Sequence, residues 1–547
     1  MKLIKRIGAT LLAAMSVLLC AGCAEKEIDI PKGPNYEASA TNKKEFTFYA
    51  YASISDGWTE MKGLDWYCGE SFVTLEKFKE LKECGFQVAM PQSIAVSQDA
   101  WDYCLELGRQ AGIKILITDN AIYQGASTAR MTVGGKRYES EEALDVYVKG
   151  LLNRYMNHPA FYGVVMEDEI STGKIMGSYG DLYKSIRRVF DENRPEAKIH
   201  ANTLAMSVWS HYTSHGNGNG HMPEIPNEQY CEILGEEFAT IANQKLEEQG
   251  QDEFWKYVND YVQSAPRAVR DVYQANIMRA RFEQYMRVFF EYTDADSVAI
   301  DSYPLYSEGP MSHMYASLQI AGMVAEENDA EFHVVSHAMT YVPYGSDESD
   351  RIFSDADMRY LNDMCLGFGV DQIMYFTYFV HGDDNAGFFL EANSFMTWYG
   401  DRTPLWYIMQ KLFADNQKFA PTIKNFDYVT SRKYEVMPAL YEWAYVSNYA
   451  RNMGEFAVLE GVTIDKECAI VTELYDSAKR NYMYMIQNGV DPQFKGSTTY
   501  QTAVFTFSDQ YNYAVVWKNG ESKEVALNNH QLVIENAAGA ATFVIPY

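Results

Sequence analysis

Three consecutive acids, Glu167-Asp168-Glu169, follow the apolar run Phe161 to Met166, and a further acid, Asp301, ends the apolar run Ser297 to Ile300. Crowded carboxylates repel one another, which raises the pKa of at least one and fits it for general acid work near neutral pH. Asp301 leads into Ser302-Tyr303-Pro304, so an aromatic ring follows directly on an acid. His337, the aromatic stretch Tyr375-Phe376-Thr377-Tyr378, Asp119 and Trp209 also sit just after apolar runs, with His381, Asp383, Asp384 and Glu391 beyond the last of them. Aromatic faces mixed with hydrogen-bonding side chains suit a ligand that is hydroxylated at its rim and apolar on its faces, as a sugar is. The plainer readings are a solvated acidic loop at 167–169 and a capping Asp beside a turn proline at 301–304.

Other chemistries find less support. His200, His211, His215 and His221 match no HExxH or paired-ligand spacing and read as a polar stretch, not a metal site. There is no GxSxG elbow and no GxGxxG, and no CxxC among the six cysteines from Cys68 onward. Hydrolysis by paired acids requires no cofactor. Lys plus Arg number 46 against 74 Asp plus Glu, a net charge of −28 that opposes binding to nucleic acid.

The elements that would position these side chains alternate. Short apolar runs at 46–54, 86–90, 113–118, 161–166, 198–204, 297–300, 332–335 and 372–376 read as eight strands. Helical patterns fall near 75–83, 99–110, 141–155, 174–192 and 404–418, and Met278, Phe282, Tyr285, Met286 and Phe289 recur at helical spacing. Eight βα units predict a TIM (β/α)8 barrel over 45–424, with 205–266 as an insertion longer than an ordinary loop. In such a barrel the residues just after each strand are the ones available to chemistry. Beyond Lys424 the pattern changes to period-two alternation, as in TAVFTF and YNYAVVW, with an Asn519-Gly520 turn. Residues 425–547 therefore read as an antiparallel β-sandwich following the barrel.

Residues 1–23 carry Lys2, Lys5 and Arg6 ahead of an apolar run too short to span a bilayer, as in a secretion signal. The sequence Ala21-Gly22-Cys23 resembles the processing site of bacterial lipoproteins, which implies that Cys23 becomes a lipidated N-terminus on an exported, membrane-anchored protein. The lipid would then be its one contact with the membrane. Residues 24–44 are polar, interrupted by Pro31 and Pro34, and read as a flexible tether. Cys68, Cys84, Cys104, Cys231, Cys365 and Cys468 have no metal-like spacing and are expected to be free, mostly buried thiols.

The run HPAFYGVVMEDEIS, the later IDSYP, and DQIMYFTYF followed by DRTPLWYIMQKL are similar to stretches of (β/α)8 glycoside hydrolases related to the bacterial β-galactosidase and agarase-like groups. That resemblance implies a carbohydrate substrate, with Glu169 as acid/base and Asp168 as its neighbour. It also implies a nucleophilic Glu after strand seven, where this chain has Val335-Ser336-His337-Ala338. Asp301 is the acid expected to take that place, with Tyr303, Trp209, His337, Tyr375, Tyr378 and Asp119 facing the sugar. The alternative is a barrel that has lost hydrolysis and only binds glycans at the cell surface.

Overall fold

The computed structural model describes residues 30–36, 47–51, 72–91, 98–204, 206, 223–306, 309–310, 313–339, 351–379, 394–397, 400–436, 449–493 and 500–547. Cys23 and the rest of the expected signal, Cys68, Trp209, His211, His215, His221, His381, Asp383, Asp384 and Glu391 lie outside the described residues.

Strands form where the apolar runs predict. They are β1 (Thr47–Tyr51), β2 (Val88–Met90), β3 (Lys114–Ile117), β4 (Phe161–Val165), β5 (Lys198–His200 continued by Asn202–Thr203), β6 (Ser297–Ser302), β7 (Glu331–His337) and β8 (Gln372–Phe376). Neighbouring strands run parallel throughout, and β8 pairs with β1 through Thr47 and Gln372. The fifth strand closes the ring. Its first half pairs with β4, Val165 opposite His200, and its second half pairs with β6, Asn202 opposite Ala299. The break between the halves is spanned by the Ala299 N–H donating to Ala201 O at 2.9 Å. The result is a closed eight-stranded parallel barrel.

Alternation along each strand sorts the side chains. Tyr49, Tyr51, Val88, Met90, Leu116, Val165, Ala299, Val335 and Met374 fill the lumen. Phe48, Ile115, Val164, Ile199, Ile300, Val334, Ile373 and Tyr375 point outward into the larger core shared with the helices. On β5 and β6 the same parity turns Asn202 and Asp301 inward at the C-terminal mouth.

The helices are α1 (Leu75–Cys84), α2 (Gln98–Ala111), α3 (Glu141–Leu152), α4 (Gly180–Asn193), α5 (Asn227–Leu234), α6 (Glu236–Gln249), α7 (Gln251–Ser264), α8 (Arg267–Thr293), α9 (Met314–Glu327), α10 (Asp355–Gly367) and α11 (Pro404–Ile423). Local capping sets several of their ends. Thr74 accepts from the Lys77 N–H ahead of α1, and Gly85, at φ 115°, ends it. Ser354 and Asp357 form a reciprocal capping box on α10. The single helix expected near 174–192 is instead a short turn Thr172–Lys174, a wide turn Ile175–Tyr179, and then α4. Gly177 leaves helical geometry there, pressed so close to Ser127 O that a Cβ would lie 2.3 Å from it. Within the expected insertion, α5 to α7 bury Tyr230, Leu234, Phe238, Phe254, Val258 and Val262 against Ala280 of α8.

After α11 come, among the described residues, nine antiparallel strands, β9 (Asp427–Glu435), β10 (Leu459–Ile464), β11 (Cys468–Asp476), β12 (Asn481–Asn488), β13 (Gln501–Phe507), β14 (Tyr513–Lys518), β15 (Glu521–Ala526), β16 (Gln531–Asn536) and β17 (Ala541–Pro546). They form a six-stranded sheet, β9-β11-β12-β17-β14-β15, and a three-stranded sheet, β10-β13-β16. The two pack around Val471, Tyr484, Ile486, Phe505, Phe507 and Val544, which is the expected sandwich. Asn519 and Gly520, both at positive φ, make the β14–β15 hairpin turn. The other face of the larger sheet joins the main core through Ile470, Met483, Met485 and Phe543.

Two further outcomes bear on the sequence reading. Cys84, Cys104, Cys231, Cys365 and Cys468 are free thiols, all buried except the half-buried Cys231. Residues 30–36, expected to be part of a flexible tether, are instead seated on the sandwich. The Tyr547 hydroxyl donates to Pro31 O at 2.6 Å, and Tyr36 is buried against Phe426 with Asn481 Nδ2 donating to its hydroxyl at 3.0 Å. A single aromatic in a polar stretch gives no periodic signal, yet burying one ring is enough to fix a short segment.

Candidate active site

The acids of the sequence converge at the C-terminal mouth of the barrel. Asp168 follows β4, and Asp301 is the fifth residue of β6, 4% exposed. Asn202 of β5 lies between them. Its Nδ2 donates to Asp168 Oδ1 at 2.5 Å and to Asp301 Oδ1 at 2.7 Å. With an acceptor on either side, the amide must present its nitrogen to both. The negative charge of Glu169 also acts on Asp301. Three carboxyl groups thus share one small volume.

Their surroundings differ. Asp168 accepts from the Tyr51 hydroxyl at 3.0 Å, from Asn202 and from the Glu169 backbone N–H. Burial raises its pKa, and these three donors act against that rise. Asp301 is pushed well above the usual carboxylate range, first by burial and then by the negative charges of Asp168 and Glu169. The hydrogen bond from Asn202 opposes that rise. Glu167, the first acid of the triplet, is neutralised by an ion pair with Lys174.

The backbone beside the cluster is constrained. Glu169 stands at φ 48°, in the left-handed region that a β-substituted residue occupies only when its neighbours enforce it. The next residue is pinned, because the Tyr285 hydroxyl of α8 donates to Ile170 O at 2.6 Å. Tyr123, in the short helical turn after β3, is half-buried, and its hydroxyl pKa is raised by burial and by the charges of Asp168, Glu167, Asp301 and Glu169.

The other expected site residues divide. Tyr303 stands half-buried at the mouth, its ring 5.7 Å from His337 and 5.5 Å from Phe376. His337 is 1% exposed and wedged against Phe353, so it backs Tyr303 instead of facing a ligand. Burial pushes its pKa down to about 3, which keeps the ring neutral. Tyr375 and Tyr378 do not face the mouth. Tyr375 points outward among Phe48, Phe86 and Phe413, and Tyr378 receives the Trp406 indole N–H at 3.3 Å and stacks on Phe395. Alternation on β8 gives the inward place to Phe376 instead. Asp119 caps the turn after β3, with one oxygen accepting from the Ala121 N–H and the other from the Tyr155 hydroxyl. The expectation that Tyr375, Tyr378, His337 and Asp119 touch a ligand is therefore corrected.

Sequence reasoning missed Tyr51, Asn202 and Tyr123. The first two were findable by parity, since Tyr51 shares a face with Tyr49 on β1, and Asn202 shares one with Lys198 and His200 on β5. A depression of about 760 Å³ opens at the opposite end of the barrel, lined by Lys114, Arg187, Lys198 and Glu331 among others. It is separate from the acids. Among the described residues no group of three or more His, Cys, Asp and Glu side chains is arranged to hold a metal.

No protein-family model and no curated protein matches the sequence. Among solved structures the chain is similar to a GH27 β-L-arabinopyranosidase from Geobacillus stearothermophilus, at 12% identity and a TM-score of 0.43 over 93% of this chain and 97% of that one. It is similar to a family 39 glycoside hydrolase from the gut symbiont Bacteroides cellulosilyticus, at 12% identity and a TM-score of 0.40 over 95% and 83%. It is also similar to an α-amylase from Anoxybacillus, at 8% identity and a TM-score of 0.40 over 94% and 99%.

Proposed function

We propose that this protein is a glycoside hydrolase that cleaves its substrate with Asp168 and Asp301 at the C-terminal mouth of the barrel. The observation that carries the reading is the single amide of Asn202 bound to both carboxyl groups. One nitrogen at these distances keeps the two bound oxygens within about 5 Å of each other. That supports the closer spacing, about 5 to 5.5 Å between carboxyl groups, used when one carboxylate attacks the sugar directly, over the about 6.5 to 9.5 Å that leaves room for a water.

Asp301, buried and held protonated, donates its proton to the glycosidic oxygen as the bond to the anomeric carbon breaks. Asp168, stabilised as an anion by three donors, attacks that carbon and forms a glycosyl ester. Asp301, now ionised, takes a proton from water, and the resulting hydroxide displaces Asp168, which restores both groups. These roles differ from the sequence expectation, which gave proton donation to Glu169 and attack to Asp301. The difference follows from environment, since Asp301 is the more desolvated acid and Asp168 the better solvated by donors. Tyr303 and Phe376 offer the sugar an aromatic wall on one side of the mouth.

The test is turnover on a panel of aryl glycosides and oligosaccharides. Wild type is expected to hydrolyse at least one, with Asp168→Asn and Asp301→Asn each lowering kcat/KM by about 100- to 10,000-fold. Turnover of no glycan, or turnover untouched by either change, overturns the reading. The reading includes export and lipidation at Cys23. Metabolic labelling with an alkyne fatty acid is expected to tag wild type and not Cys23→Ser, and equal labelling of both overturns that part.

A further inference from the structure

We propose that Tyr51 is a positioning residue which keeps Asp168 ionised in preference to Asp301. The proposal rests on the glycosidase reading for its consequence in catalysis, but its physical content is a distribution of protons that can be measured without a substrate.

The geometry is asymmetric. Both oxygens of Asp168 accept, one from Tyr51 and one from Asn202. Asp301 accepts from Asn202 as well. Asn202 serves Asp168 and Asp301 alike, so it cannot decide between them. Tyr51 can, because its hydroxyl donates to Asp168 alone of the two. It reaches across the lumen from β1 and is 2% exposed, so water does not compete for that bond.

The other titratable groups around the cluster leave this asymmetry in place. Tyr123 after β3, Tyr179 on the wide turn before α4, and Tyr285 of α8 all have hydroxyl pKa values raised by burial and by the acids, and stay neutral. Lys174 is engaged by Glu167, and His337 of β7 is neutral above a pKa of about 3. Among the described residues, no free cation faces Asp168.

The experiment is carbon-13 NMR of the full chain with labelled aspartate carboxyls, the signals of Asp168 and Asp301 being identified by their loss in Asp168→Asn and Asp301→Asn. Asp168 is expected to ionise at lower pH than Asp301 in wild type. Tyr51→Phe is expected to raise the Asp168 midpoint by about one to two pH units, the worth of a hydrogen bond to a charged group, with little change at Asp301. Asn202→Ala, the second variant, is expected to raise both midpoints. Asp301 ionising first, or Tyr51→Phe leaving Asp168 where it was, overturns the proposal. With a substrate in hand, the acid limb of kcat/KM in Tyr51→Phe moves upward with the Asp168 midpoint. Absence of any turnover with the NMR midpoints as expected would overturn the glycosidase reading and leave the proton distribution standing.

Discussion

A buried acid kept protonated lowers the stability of the fold at neutral pH. The pKa of Asp301 is raised well above its ordinary value of 3.8. The unfolded chain therefore releases this proton at lower pH than the folded protein does, and stability falls as pH rises through the interval between the two pKa values. Asp301→Asn is accordingly expected to be more stable than wild type at pH 7 by roughly 0.5 to 2 kcal/mol, with the advantage shrinking as pH falls toward 3.8. Unfolding midpoints across pH measure this, and a variant less stable than wild type at pH 7 would contradict it. At this scale the sequence revealed the acids and hid their partners. Asp168, Glu169 and Asp301 are legible because each directly follows or ends an apolar run. Tyr51 and Asn202 acquire meaning only once the ring closes and brings β1 and β5 beside β4 and β6. Tyr375 misled because its nearness to a strand end outweighed its parity, and parity is what decides which way a strand side chain points.

At the scale of elements, β4 and β5 approach so closely that one position tolerates only glycine. A Cβ on Gly163 would lie 1.9 Å from Lys198 O, a backbone atom of β5 that no side-chain rearrangement can clear. Gly163→Ala is expected to cost about 3 kcal/mol or more by forcing the pair apart. It also displaces Asn202, carried on the same β5, and so lowers kcat in the fraction that remains folded. Urea unfolding and kcat measured together test both effects, and a cost under about 1 kcal/mol would show that the strands can separate freely. The eight strands were legible as runs of β-branched and aromatic residues. Helix α9 was not, because Met314 to Ala325 are buried on nearly every side and no polar face marks a 3.6-residue period. Strand β9 was missed for a related reason: Arg432, Lys433 and Glu435 interrupt its alternation where it meets solvent.

Across the whole molecule, the sandwich is joined to the barrel by buried polar contacts as well as apolar ones. Arg351, just ahead of α10, bonds Asp357 of that helix and Asp491 beyond β12, with side-chain exposures of 7%, 0% and 11%. Removing the cation strands two buried carboxylates. Arg351→Leu is expected to lose about 3 to 5 kcal/mol. Calorimetry reads this as a lower unfolding midpoint, and an unchanged midpoint would mean that the sandwich does not depend on the link. Such a join was not legible in the sequence, since Asp491 stands 140 positions from Arg351. What the closed ring does for chemistry is bring the ends of β4 and β6 to one amide on β5, and the most direct test of that arrangement is covalent. Incubating the protein with a panel of activated fluoro-glycosides and mapping the adduct by peptide mass spectrometry is expected to place a glycosyl ester on Asp168. An adduct on any other residue, Asp301 and Glu169 included, or hydrolysis that inverts the anomeric centre with no adduct, would contradict it.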